Sequence, residues 1–315
     1  MKRLKVLALL LSVLPIASSA QKAQETPLCC SKMQSLYEEN KYTEALQQFE
    51  RLEKGCAVQA PCIELMGDIY AALEAYPEAF ATYQLIEKVY PTQARGYIVM
   101  GALYREAKNW AAAIEEYTKG AQNVLTDEDR KQLILKRATI YSKTRRFGEA
   151  VADLENLNQR FPDEKGILIE LGIAYSGQKK WPQALDIYQK LHKTYPQSTV
   201  VLTNLGDIYQ SLEKYVEAEP YLLQAIEIKP DNNVAYTNLG YGKLKMGDLS
   251  GALKAIEKAI ELDAENGFAY RNRGLIYLEM KDPEKACRSF LVAEQKGYSE
   301  MYDDDVKALI QQYCQ

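Results

Sequence analysis

The chain has 315 residues, 47% of them hydrophobic and 26% charged, a composition that supports packed cores and excludes disorder along its length. Its net charge of −4 argues against nucleic acid as a partner, because phosphate binding needs a basic face.

The first twenty residues, MKRLKVLALLLSVLPIASSA, start with Lys2, Arg3 and Lys5, pass through an apolar run from Val6 to Ile16, and end on the small residues Ser18 and Ala20. That order is the pattern of a secretory signal peptide, 1–20, cleaved after Ala20. Losing its three basic residues would take the net charge from −4 to −7. The apolar run is short for a bilayer, and no later segment approaches the ~20 apolar residues a span requires. A lipid anchor would need cysteine directly after the cleavage site, where Gln21 stands. The expectation is an exported, periplasmic or secreted chain, with 21–25 as a short linker. In such a compartment six cysteines read as disulfides. Cys29, Cys30, Cys56 and Cys62 lie towards one end, Cys287 and Cys314 at the other. The first four show no C-x-x-C spacing and no nearby histidine, so no metal is expected.

From residue 26 onward the sequence repeats itself. Leu-Gly or an equivalent pair appears at Met66-Gly67, Met100-Gly101, Leu171-Gly172, Leu205-Gly206 and Leu239-Gly240, with Arg137-Ala138 and Arg273-Gly274 as variants. Twelve residues after each small residue stands an alanine: Ala79, Ala113, Ala150, Ala184, Ala218, Ala252 and Ala286, with Ala45 one period earlier. The interval is 34 throughout except between Ala113 and Ala150, where it is 37. A strict period of this length is the signature of a solenoid. The repeats fall at 26–59, 60–93, 94–127, 131–164, 165–198, 199–232, 233–266 and 267–300. Within each, apolar residues recur at steps of three and four, as in Leu205, Ile208 and Tyr209, then Tyr221, Leu222, Ala225 and Ile226. That spacing predicts two amphipathic helices, joined by turns such as EKY, GDL, KDP and KKW. The glycine and alanine slots predict close helix crossings. Tyr70, Tyr104, Tyr141, Tyr175, Tyr209 and Tyr277 share another slot and are expected to pack in the core. The three extra residues, 128–130, are expected as a loop insertion or as a joint between arms at 26–127 and 131–315.

On the Leu-Gly-x-x-Tyr, Ala and Pro slots the chain resembles the tetratricopeptide-repeat (TPR) family, helix-turn-helix solenoids that bind proteins and peptides. The resemblance covers 26–300 and implies an all-α fold, an α-α superhelix of about eight TPR units. Segment 301–315, MYDDDVKALIQQYCQ, would then be the polar capping helix that covers the last apolar face. Asp303, Asp304 and Asp305 would complement its N-terminus rather than hold a metal. In that arrangement Cys287 and Cys314 should meet, while either of Cys29 and Cys30 could pair with Cys56 or Cys62.

No chemistry-bearing motif accompanies the repeats. There is one histidine, His192, expected to be exposed at the end of an outer helix, and no nucleophile elbow, Walker loop or zinc helix motif. Gly240-Tyr241-Gly242 lies inside a predicted helix, and paired carboxylates such as Glu115-Glu116 are expected to be solvated. A non-enzymatic protein with no cofactor is the expectation. Its candidate site is the inner face lined by the first helix of each repeat. Asn204, Asn238 and Asn272 occupy one slot in consecutive repeats, and an amide ladder there could bind the backbone of an extended peptide by donating and accepting at once. Thr203, Asp207, Thr237, Tyr241, Phe268, Arg271 and Leu275 flank them, with Leu135, Ile169 and Ile173 further up. The expected role is an interaction scaffold of the cell envelope that holds an extended peptide or a helix of a partner in its concave groove. A regulatory or positioning subunit of an envelope enzyme is an alternative. A carbohydrate-binding protein using Tyr241, Phe268, Trp110 and Trp181 is a further one.

Overall fold

In the computed structural model of the chain, residues 30–51, 59–301 and 305–314 are described. The signal segment, the linker, Cys29, Cys56, Asp303 and Asp304 lie outside them. Among the described residues the protein is all-α. Its helices pack as successive antiparallel hairpins, the solenoid arrangement, and fall into two compact bodies that divide after Pro162.

The N-terminal body contains the hairpins α1 (Ser31–Glu38) with α2 (Tyr42–Glu50), α3 (Ala60–Ala72) with α4 (Tyr76–Val89), α5 (Ala94–Glu106) with α6 (Trp110–Asn123), and α7 (Asp127–Lys143) with α8 (Phe147–Arg160). The C-terminal body contains α9 (Lys165–Gly177) with α10 (Trp181–Thr194), α11 (Thr199–Ser211) with α12 (Tyr215–Ile228), α13 (Asn233–Lys245) with α14 (Leu249–Leu262), and α15 (Gly267–Glu279) with α16 (Pro283–Gln295). It ends on short α17 (Tyr298–Met301) and on α18 (Asp305–Tyr313), which packs against α16.

Each hairpin reverses through one residue in the left-handed backbone region. Asn40, Glu74, Lys108, Arg145, Lys179, Glu213, Gly247 and Lys281 all have φ between 57° and 83°, and they carry the same spacing as the alanines. The amide after each closes the helix end, as when Lys214 N–H donates to Tyr209 O at 2.8 Å. Gly247 alone occupies this place without a Cβ penalty.

Glycine in the repeat makes room for a specific side chain sixteen residues on. A Cβ on Gly67 would come within 2.6 Å of the Tyr83 ring, one on Gly172 within 2.5 Å of Tyr188, and one on Gly206 within 2.5 Å of Leu222. Tyr83, Tyr117, Tyr188 and Phe290, on the second helices, are therefore the large side chains that fill the crossings, each no more than 1% exposed. The tyrosines of the predicted core slot lie instead at the margin of that core. Tyr70, Tyr104, Tyr141, Tyr175, Tyr209 and Tyr277 are half-buried, and several stand beneath cations, as Tyr141 beneath Arg146 and Tyr175 beneath Lys180. The alanine slots are closed, with Ala113, Ala150, Ala184, Ala218, Ala252 and Ala286 all fully buried.

The break in periodicity is neither a loop insertion nor the point where the bodies divide. It lengthens a helix: α7 has 17 residues where α9 has 13. Thr126 caps the added turn by accepting from Asp129 N–H at 3.1 Å, and Asp127, Glu128 and Asp129 set negative charge against the N-terminal dipole. Arg130 then ties the turn back to Ala121 O and Val124 O, both at 3.0 Å.

Disulfides join Cys30 to Cys62 (Cα–Cα 5.9 Å) and Cys287 to Cys314 (5.1 Å). The first ties the start of α1 to α3, and the second ties α18 to α16. Among the described residues no helix is long and apolar enough to cross a membrane.

Candidate functional site

The first helices of consecutive repeats lie side by side within the C-terminal body, α11 against α13 and α13 against α15. Positions i, i+4 and i+7 of a helix share one stripe, and on this face the stripes read Val200-Asn204-Asp207, Val234-Asn238-Tyr241 and Phe268-Asn272-Leu275.

The three asparagines do not form a uniform open row. Asn204 is half-buried and donates its amide to Val200 O of its own helix at 2.8 Å. Asn238 is 8% exposed. Asn272 is fully enclosed, its Oδ1 accepting from Arg271 at 3.1 Å and its Nδ2 buried without a partner. At Asn272 the capping segment takes part: Arg271 is held by Asp305, at the start of α18, with contacts of 2.6 and 3.0 Å. Arg271 and Asn272 are thus engaged by the cap, and Phe268 stacks on Tyr298 at 6.0 Å between ring centroids. Leu275 packs into the same terminal core.

Thr203 and Thr237 prove to be braces between repeats rather than surface donors. Asn232 caps α13, accepting from Ala235 N–H at 3.1 Å, and its amide donates to Thr203 Oγ1 at 3.2 Å. One repeat later Asn266 caps α15, accepting from Ala269 N–H at 3.2 Å, and donates to Thr237 Oγ1 at 3.2 Å. Both threonines are at most 9% exposed.

What remains open on this face is Val200 and Val234, 49% and 50% exposed at the same slot, together with Asn204, Asp207 and Tyr241. Asp207 has exposed surface, yet burial of its carboxyl pushes that group up to about 6. Tyr241 meets Tyr215 edge-on, with Lys245 5.4 Å from its ring. Gly240 and Gly242 have separate packing causes: a Cβ on Gly240 would strike Ile256 at 2.5 Å, and one on Gly242 would strike the Gln210 amide at 2.6 Å. Gln210 uses that space to donate to Asn238 O at 2.7 Å. Further up, Ile169 and Ile173 are half-buried on α9, as is Leu135 on α7.

Two expectations about titratable side chains need correction. His192 is half-buried, its ring edge-on to Tyr221 at 5.5 Å. Glu115 is exposed, but its neighbour Glu116 is not solvated. Its side chain is 15% exposed beside Glu87, whose side chain is 9% exposed, with Lys119 2.8 Å from Glu87. Burial first, then the Glu87 charge, pushes the Glu116 carboxyl up to about 7. Periodicity hid this, because helix spacing does not reveal which surface residues the neighbouring hairpin covers. Trp110 and Trp181 begin second helices and are half-buried; Trp110 packs on the core with Lys143 5.2 Å from its ring. Neither is an open aromatic platform. Among the described residues no cluster of three or more His, Cys, Asp or Glu could hold a metal.

Comparison with known proteins fits this architecture. The tetratricopeptide-repeat family profile matches residues 166–231 and again 237–299. No curated protein matches the sequence. Among solved structures, a tetratricopeptide repeat protein from Parabacteroides merdae is similar at TM-score 0.61 and 18% identity, over 91% of this chain and 98% of that one. TTC0263, a thermophilic TPR protein of Thermus thermophilus, is similar at TM-score 0.53 and 16% identity, over 58% of this chain and 98% of that one.

Proposed function

We infer that this tetratricopeptide-repeat protein is a non-enzymatic interaction scaffold of the cell envelope whose first-helix face in the C-terminal body receives an extended segment of a partner protein. The observation that carries the reading is the pair Val200 and Val234, half in water at one slot of neighbouring helices beside Asn204, Asp207 and Tyr241. Two β-branched side chains held out in register gain nothing within the fold, and fully burying each under a partner would contribute roughly 1.5–3 kcal/mol. An apolar strip with polar groups along its flank is the composition of a protein-binding surface. Export is supported by the signal-like first twenty residues and by the disulfides Cys30–Cys62 and Cys287–Cys314, which persist in oxidising compartments.

The test is in-cell photocrosslinking with a reactive residue placed at Val234, or at Val216 on α12, which is 71% exposed on a second helix. A partner captured from position 234 but not 216, and lost on Val200→Asp, supports the reading. Capture from 216 alone, or capture indifferent to Val200→Asp, refutes it.

A further inference from the structure

The N-terminal body holds a charged group that its fold leaves uncompensated. Lys136 of α7 stands in the slot that Asn204, Asn238 and Asn272 occupy in later repeats, and it is half-buried. Among the described residues no carboxylate pairs with it. Its electrostatic neighbours are Arg105 and Arg95, both on the adjacent first helix α5. Each arginine has a carboxylate of its own: Arg105 meets Glu106 at 2.8 Å, and Arg95 meets Asp68 of α3 at 3.4 Å. Asp68 is held from its other side by the Tyr83 hydroxyl at 2.6 Å. Glu64, also on α3 and within reach of Arg95, is pushed up to about 7 by burial, so its negative charge is weakened there near neutral pH. Burial first, then the two guanidinium groups, lowers the Lys136 ammonium below its usual range.

A partly desolvated ammonium beside two other cations is unfavourable for folding unless something anionic completes the set. The cations are also spread out. Arg95 and Arg105 are ten residues apart, roughly 15 Å along α5, further than one carboxylate reaches. An extended chain advances ~3.3 Å per residue, so side-chain carboxylates distributed over about five residues would match the spread.

We propose that the first-helix face of α5 and α7 is a binding site for an extended acidic segment of a partner protein, with its side-chain carboxylates meeting Lys136, Arg95 and Arg105. This site lies in the other body from the valine strip and draws on different chemistry, so it stands or falls separately from the reading above.

The experiment uses the full mature chain and a fluorescein-labelled, amide-capped peptide of repeating Glu-Ser-Gly, with the Gln-Ser-Gly peptide as control, read by fluorescence anisotropy. The Glu peptide should bind and weaken as salt rises from roughly 50 to 300 mM. Lys136→Gln should weaken it about tenfold or more, Lys136→Arg should retain it, and Val234→Asp should leave it unchanged. Loss of the Glu peptide on Val234→Asp would move binding to the C-terminal body and overturn the proposal. It is equally overturned if the Gln peptide binds as well, if Lys136→Gln binds like wild type, or if no binding occurs. A second readout needs no variant: the Lys136 side-chain resonance, followed through a pH titration, should move to a higher midpoint when the Glu peptide is added. An unmoved midpoint counts against the site.

Discussion

The bond from Asn266 to Thr237 can be separated from the capping role of the same asparagine. Asn266→Ala removes two interactions: the cap on Ala269 N–H at 3.2 Å and the bridge to Thr237 Oγ1 at 3.2 Å. A lost N-cap costs about 1 kcal/mol, and a lost hydrogen bond at a part-buried site about 1 kcal/mol more, giving roughly 2 kcal/mol in all. Asn266→Ser should cost about half of that, because serine caps nearly as well but is too short to reach across to α13. Thr237→Val keeps the shape and removes the acceptor, and combined with Asn266→Ser it should show a coupling of about 1 kcal/mol. The assay is urea denaturation followed by circular dichroism. Hydrogen exchange on the amides of α13 and α15 accompanies it, because an array of repeats need not unfold in one step. If Asn266→Ser costs as much as Asn266→Ala and the double mutant is additive, the bridge contributes nothing and the assignment of Thr203 and Thr237 as braces fails.

Other measurements reach different parts of the fold. Glu64 and Glu116 both have carboxyls raised to about 7, so between their unfolded value and pH 7 the native state binds more protons, and stability falls as pH rises through that window. With allowance for solvent screening, Glu116→Gln should raise stability at pH 8 by about 1 kcal/mol and change little at pH 5, readable as a flattened pH profile of the melting midpoint. Glu213→Gly should stabilise by roughly 0.5–1 kcal/mol by relieving a left-handed residue, while Gly247→Ala should destabilise by about 1 kcal/mol; equal midpoints for both variants would contradict the turn geometry. Ala218→Leu in a fully buried crossing should cost ~1–3 kcal/mol, seen as a lower denaturation midpoint.

The repeat and its crossings were legible because they are written as a period. Gly206 and Ala218, or Gly172 and Ala184, stand twelve residues apart, and sterics allow few alternatives; the side chains that fill the crossings, sixteen residues after each glycine, were not read from the period. Legibility ended where an outcome depended on what a neighbouring element places over a residue. Asn204, Asn238 and Asn272 share a slot, yet only the last lies beneath an arginine pinned by Asp305. The extra residues 128–130 read as a loop because their polar character suits one, but Thr126 and the three acids after it are also a strong helix start. Glu116 and Lys136 gave no signal at all, since a charge that faces a crowded neighbour looks the same in sequence as one that faces water.

The placement of the two disulfides governs where this chain can begin to come apart. In a linear array each hairpin leans only on its neighbours, so the outermost hairpins, with one neighbour each, are the natural points of fraying. Cys30–Cys62 clamps the start of α1 to α3, and Cys287–Cys314 clamps α18 to α16. Each staple opposes the peeling of the helices it joins, so reducing the disulfides should favour opening at those helices. A protease should then cut the reduced chain near α1 and α18 sooner than it cuts the oxidised chain there.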